Sequence, residues 1–116
     1  MSDKNAMAGL YKVMQILVEE LDKDLPLSYA LAFLRIAMAG DLGVDNKRLQ
    51  DDLKASSGGM SRMVQTLGAI HWQKDKAGFG LINRDMGAAD NRMRQLSLTP
   101  KGEKLVAKLV AQLNKL

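Results

Sequence analysis

The sequence predicts an α+β fold, mainly α, in one domain of 116 residues, with helices at both ends and a short β-hairpin late in the chain. Three observations carry this. Apolar residues recur at helical spacing through most of the chain. Residues 79–83 and 94–98 are short strand-like runs on either side of a loop of small residues. Behind the second run, Thr99-Pro100 with Glu103 forms a helix start: a capping hydroxyl, a proline suited to the first helical position, and an acid in the first turn. The length is that of one ordinary domain, and a 47% hydrophobic content is enough to build a core.

Taken in order, Leu10, Val13, Met14, Leu17, Val18 and Leu21 form a stripe over residues 6–22, which predicts a first helix. Tyr11 and Ile16 lie off it and give this helix a second apolar edge. Asp24-Leu25-Pro26 breaks the pattern, because proline disfavours helix in the residue before it and suits the first turn of the next helix. A second helix is expected from about 27 to 39, with Ala30, Leu31, Leu34, Ala37 and Met38 inward, ended by Gly40. Asp41-Leu42-Gly43-Val44 reads as a short extended link. Asp45 is an N-cap for a third helix over 46–54, with Leu49 and Leu53 inward. Ser56-Ser57-Gly58-Gly59 is a break. A fourth helix over 57–70 turns Met60, Met63, Val64 and Leu67 inward. The hairpin loop is placed at 84–91, and the last helix turns Leu105, Leu109, Val110 and Leu113 inward.

Two short helices joined by a few small residues form a helix-turn-helix. A hairpin placed directly after it is a wing, so the whole reads as a winged helix-turn-helix with flanking N- and C-terminal helices. Residues 1–116 make a single domain: an N-terminal dimerisation helix at 1–24, the winged-helix core at 27–98 and a C-terminal helix at 99–116.

Composition narrows the function. The chain has no cysteine and one histidine, so disulfides, thiolate metal sites and cysteine nucleophiles are absent, and no metal or cofactor is expected. No apolar run is long enough to span a bilayer, and Met1 to Asn5 lack the apolar core of a secretory signal, so cytoplasm is the expected compartment. No nucleophile–base pair is visible, and Gly78-Phe79-Gly80 is followed by no phosphate-binding lysine, so no enzyme is expected. The net charge of +4 is unevenly spread: residues 1–53 hold 6 Lys/Arg against 9 Asp/Glu, and residues 54–94 hold 7 against 3. An acidic front and a basic back fit a partner with a phosphate surface, although ordinary surface charge would also give +4.

The order of elements is similar to that of MarR-type transcriptional regulators. The hairpin carries the closest match: Asp90, Arg92, Leu98 and Thr99 fall at that family's spacing, and Gly102 sits where its members often have glycine. The family's recognition helix reads Ser, two variable residues, a small residue, then Val-Thr/Ser-Arg-Leu-Val-x-x-Leu. Here Ser56 to Leu67 reads Ser-Ser-Gly-Gly-Met-Ser-Arg-Met-Val-Gln-Thr-Leu. The resemblance covers roughly residues 27 to 105 and departs from the pattern in a longer, polar segment at 69–78. The family's paired C-terminal helices would extend past Leu116, which leaves the manner of dimerisation open. The resemblance implies a sequence-specific regulator of duplex DNA, a repressor acting as a homodimer, with an ion pair at Asp90 positioning the wing. It names no effector.

On the residues themselves, helix 57–70 would present Ser57, Gly58, Ser61, Arg62 and Gln65 to the major groove. Arginine is the commonest reader of guanine, and glutamine can read adenine. Gly58 and Gly59 let the helix N-terminus come close to a phosphate. In the wing, 84–94, Arg84, Asp90, Arg92 and Arg94 are candidates for the flanking minor groove, with Arg92 and Arg94 expected on one strand face. Lys54, Lys74 and Lys76 are candidate phosphate contacts. Leu10, Tyr11, Met14 and Val18, with Leu105, Leu109, Leu113 and Leu116, are the candidate dimer interface. Trp72 is expected as a core anchor beside His71, and Asp51 and Asp52 as solvated charges. A winged-helix adaptor or inhibitor that binds protein and does not read DNA would share the scaffold, since fold does not fix function.

Overall fold

The computed structural model describes residues 2–69, 77–87 and 90–115, with residues 85–87 and 90–94 described by backbone alone. Helix α1 spans Asp3–Glu20 and α2 spans Leu27–Ala39, followed by a 3-10 turn at Gly40–Leu42 and the short strand β1, Val44–Asp45. Helices α3, Asn46–Leu53, and α4, Ser57–Leu67, form the helix-turn-helix. Strands β2, Ile82–Gly87, and β3, Asp90–Leu98, form the hairpin, and α5 spans Pro100–Leu113. The sheet is antiparallel in the order β1-β3-β2, so β3 is its centre. The whole is an α+β, mainly helical, winged helix.

Capping explains where the helices begin. Ser2, Asp45, Ser56 and Thr99 each accept a backbone N–H in the first turn of α1, α3, α4 and α5. Each such cap contributes about 1 kcal/mol. The core fills the space between the helices and the sheet, with Phe33, Ile36, Leu49, Met60, Leu67 and Leu96 fully buried. Met60, Met63, Val64 and Leu67 of α4 and Leu49 of α3 turn inward as their spacing predicts.

Helix α2 departs from expectation. Ala32, Phe33 and Ile36 are buried, while Leu31, Leu34 and Met38 are exposed and Ala30 and Ala37 half-buried. Arg35 is the only charged residue between Leu27 and Ala39, so the sequence has no polar face to fix the rotation. Phe33 and Ile36 are buried, and the Leu31 side is left outside. Helix α1 is likewise turned from its expected stripe: Val13 and Leu17 are buried and Ile16 packs on the core, but Leu10, Met14 and Val18 are exposed. In α5, Leu105 and Leu109 enter the chain's own core while Val110 and Leu113 stay exposed. Leu105 and Leu109 therefore cannot also face a partner, which corrects the expected dimer surface.

The wing differs from the sequence reading at both ends. Its strands extend over residues placed in the loop. Residues 79–81, expected in the first strand, instead run along the end of α4. Phe79, Gly80 and Leu81 donate to the carbonyls of Thr66, Gly68 and Leu67 at 2.9, 2.8 and 2.8 Å. These bonds use carbonyls at a helix end that have no partner within the helix. Gly78 has to be glycine here, because a Cβ would run into the carbonyl oxygen of Gly68.

Candidate nucleic-acid interface

Helix α4 separates its two sides cleanly. Its inner side is buried through Met60, Met63, Val64 and Leu67, which fixes the rotation of the helix. Ser57, Gly58, Ser61 and Arg62 are then exposed and Gln65 half-exposed, as the sequence places them. Gln65 Nε2 donates to Ser61 Oγ at 3.2 Å, which orders a polar pair on this surface. At the helix start, Ser56 Oγ takes the N–H of Gly59 at 3.0 Å. The N–H groups that lead toward an anion are thus those ahead of it, at Ser57 and Gly58. A Cβ at Gly58 would meet nothing within 4 Å, so glycine is not required there by the protein's own packing.

Helix α3 supplies cations beside that start. Gln50 Nε2 donates to Ser57 Oγ at 3.4 Å, joining the α3 surface to the first turn of α4. Lys47 lies three residues before Gln50 on one face of α3, Lys54 follows the last residue of the helix, and both are exposed. Lys54 ends α3 with φ 54°, in the left-handed region where glycine or asparagine is usual. Lys47 is absent from the residues the sequence singles out, and its helical spacing to Gln50 is the signal that identifies it. Asp52, expected to be solvated, pairs with Arg35 of α2 at 3.2 Å. Both groups are partly exposed, so the pair contributes at most about 1 kcal/mol.

The hairpin is tied to the same helix through residues 78–81. Thr99 Oγ1 donates to the Gly80 carbonyl at 2.7 Å, and Lys101 Nζ donates to the Phe79 carbonyl at 2.7 Å. Hydrogen bonds therefore join the end of α4, the root of the wing and the start of α5. Arg84 is exposed on β2, and Asp90, Arg92 and Arg94 lie on β3. Pairing is regular from Ile82↔Leu98 to Met86↔Arg94, and the next pair is Gly87↔Asp90. Residues 91–93 therefore fall outside the regular ladder. His71, Trp72, Lys74, Lys76 and Leu116 lie outside the described residues.

Among the described residues, no group of three His, Cys, Asp or Glu is placed to hold a metal ion. No helix among them is long and apolar enough to cross a membrane.

No protein-family model and no curated protein matches the chain. Solved structures do match. The S. aureus MepR–DNA complex superposes with a TM-score of 0.66 at 19% identity, covering 98% of this chain and 85% of that one. A MarR transcriptional regulator from Methanosarcina mazei gives a TM-score of 0.60 at 22% identity, covering 97% and 74%. A MarR-like regulator from Thermotoga maritima gives 0.60 at 20%, covering 98% and 77%.

Proposed function

We propose that this chain, which has the MarR-type winged-helix fold of those proteins, is a transcriptional regulator that binds duplex DNA sequence-specifically. The observation that carries the proposal is the outer face of α4, where Ser57, Gly58, Ser61, Arg62 and Gln65 stand exposed over a buried apolar face. A helix presented in this way enters the major groove with its N-terminal residues toward the bases. Arg62 reads guanine and Gln65 reads adenine. Lys47 and Lys54 hold phosphates beside the helix, and the wing, with Arg84, Arg92 and Arg94, lies along the flanking minor groove. That MepR is solved on DNA supports the same docking for a chain of this fold.

The regulator acts as a homodimer, so that two α4 helices meet half-sites about one helical turn apart. It represses, by occupying the site, and it carries out no chemistry. The exposed apolar residues of α1, Leu10, Tyr11, Met14 and Val18, together with Leu113 of α5, belong to the dimer surface.

Selection on a random duplex library, followed by gel shift on the recovered site, tests this reading. A palindromic site is expected. Arg62→Ala should weaken binding by about 1–3 kcal/mol and relax the preference at one base position. Arg92→Ala should weaken all sequences alike. Full-affinity binding by both variants removes the assignment, and no salt-sensitive binding to any duplex removes the function.

A further inference from the structure

We propose that Ser61 is a positioning residue: it holds the Gln65 amide so that this face of α4 accepts adenine and rejects guanine at one base position. The inference rests on the DNA reading above and names the base chemistry of that surface. Along a helix each Cα–Cβ bond tilts toward the N-terminus, so a long side chain lies over the residue one turn before it. Gln65 stands one turn after Ser61, and its Nε2 donates to Ser61 Oγ at 3.2 Å. Both stand outside the buried side of α4, whose Met60, Met63, Val64 and Leu67 fix the rotation of the helix.

A free glutamine amide discriminates poorly, because half a turn about its last bond exchanges its oxygen for its nitrogen. Turned one way it accepts, turned the other it donates. It can then meet adenine, which shows a donor at N6 and an acceptor at N7, or guanine, which shows acceptors at O6 and N7. Ser61 removes that choice. A serine hydroxyl in a helix can give its hydrogen to the carbonyl one turn back, which leaves Oγ to accept. With one N–H of Gln65 given to that oxygen, the amide keeps one acceptor, Oε1, and one donor, its second N–H. One donor and one acceptor are the complement of adenine. Against guanine, Oε1 would stand opposite a second acceptor, and turning the amide over gives up the Nε2–Oγ bond. The wrong base is thus rejected by an acceptor left without a donor, as well as by the loss of a bond. A side chain already fixed also loses less freedom on binding.

The test measures binding of the wild type, Ser61→Ala, Gln65→Ala and the double variant to the selected duplex and to each of its single base-pair substitutions. The position where Gln65→Ala flattens the preference is the one Gln65 reads. The wild type should favour adenine over guanine there by about tenfold or more. Ser61→Ala should lower that ratio by about threefold or more and leave the other positions alone. Ser61→Thr, which keeps a hydroxyl, should restore it. Added to Gln65→Ala, Ser61→Ala should change nothing further, whereas a serine that touched DNA by itself would give additive losses. Ser61 is exposed and alanine favours helix, so far-UV circular dichroism should show an unchanged fold. The proposal is overturned if Gln65→Ala flattens no position, or if the base there is not adenine. It is equally overturned if the adenine preference survives Ser61→Ala, or if the two losses add. Duplex binding persists in all of these outcomes, so they leave the DNA reading standing. Binding to no duplex removes that reading and this proposal with it.

Discussion

Gly58 is exposed in the first turn of α4 and Thr66 is buried near its end, and each tests what its surroundings are for. A Cβ at Gly58 would touch nothing in the protein, so the Gly58→Ala variant gains helix propensity. It should be more stable to urea by up to about 1 kcal/mol. It should also bind DNA more weakly, because the added methyl stands where the proposed phosphate approaches the helix start. Unchanged affinity in that variant would remove the close-approach role. Thr66 is buried, and its Oγ1 has no hydrogen-bond partner among the described residues. A buried hydroxyl without a partner costs about 1–3 kcal/mol. Thr66→Val keeps the shape and removes that group, so thermal unfolding should shift upward by the equivalent of about 1 kcal/mol. A lower melting temperature would mean that the hydroxyl is paired in solution.

At the scale of elements, residues 78–81 and the start of α5 decide how the reading helix and the wing are held together. Thr99 caps α5 by accepting from Gly102 N at 3.1 Å and also donates to Gly80 at 2.7 Å. Thr99→Val loses both bonds and should cost about 1–2 kcal/mol in chemical denaturation. Gly102 is buried, and a Cβ there would collide with the carbonyl oxygen of Leu81. Gly102→Ala forces α5 away from the run 78–81 and should cost about 1–3 kcal/mol. Much of this join is legible in the sequence: Thr99-Pro100 announces the cap and Gly102 matches a known pattern. The run 78–81 is not, because its bonds go to residues 66–69 at the end of α4, nine to fourteen residues earlier, and no local spacing encodes them. A loss below about 0.3 kcal/mol in both variants would show that the join does not hold the wing.

Over the whole molecule, the charge divides as the proposed function requires. The acidic excess lies in residues 1–53, and the basic excess begins at Lys54. Binding to duplex DNA should therefore weaken steeply with salt, since each phosphate contact releases a counterion. Lys54→Ala should lower the slope of log K against log salt by about 1 and weaken all sequences alike. A slope unchanged from wild type would take Lys54 off the phosphate backbone.

The sequence alone determines the order of helices and strands, the caps at Asp45 and Thr99, and the outward residues of α4. In each case the signal is local: a capping side chain beside its helix, or an apolar stripe with a polar face to contrast with it. The rotation of α2 was open, because a helix with one charged residue looks alike from every side. Only packing of Phe33 and Ile36 into the core decided which apolar face remained outside. The same holds for α5, where Leu105 and Leu109 could serve a core or a partner until the fold buried them. Burial is a property of the assembled molecule, and where both faces of a helix are apolar, tertiary contacts alone divide core from surface.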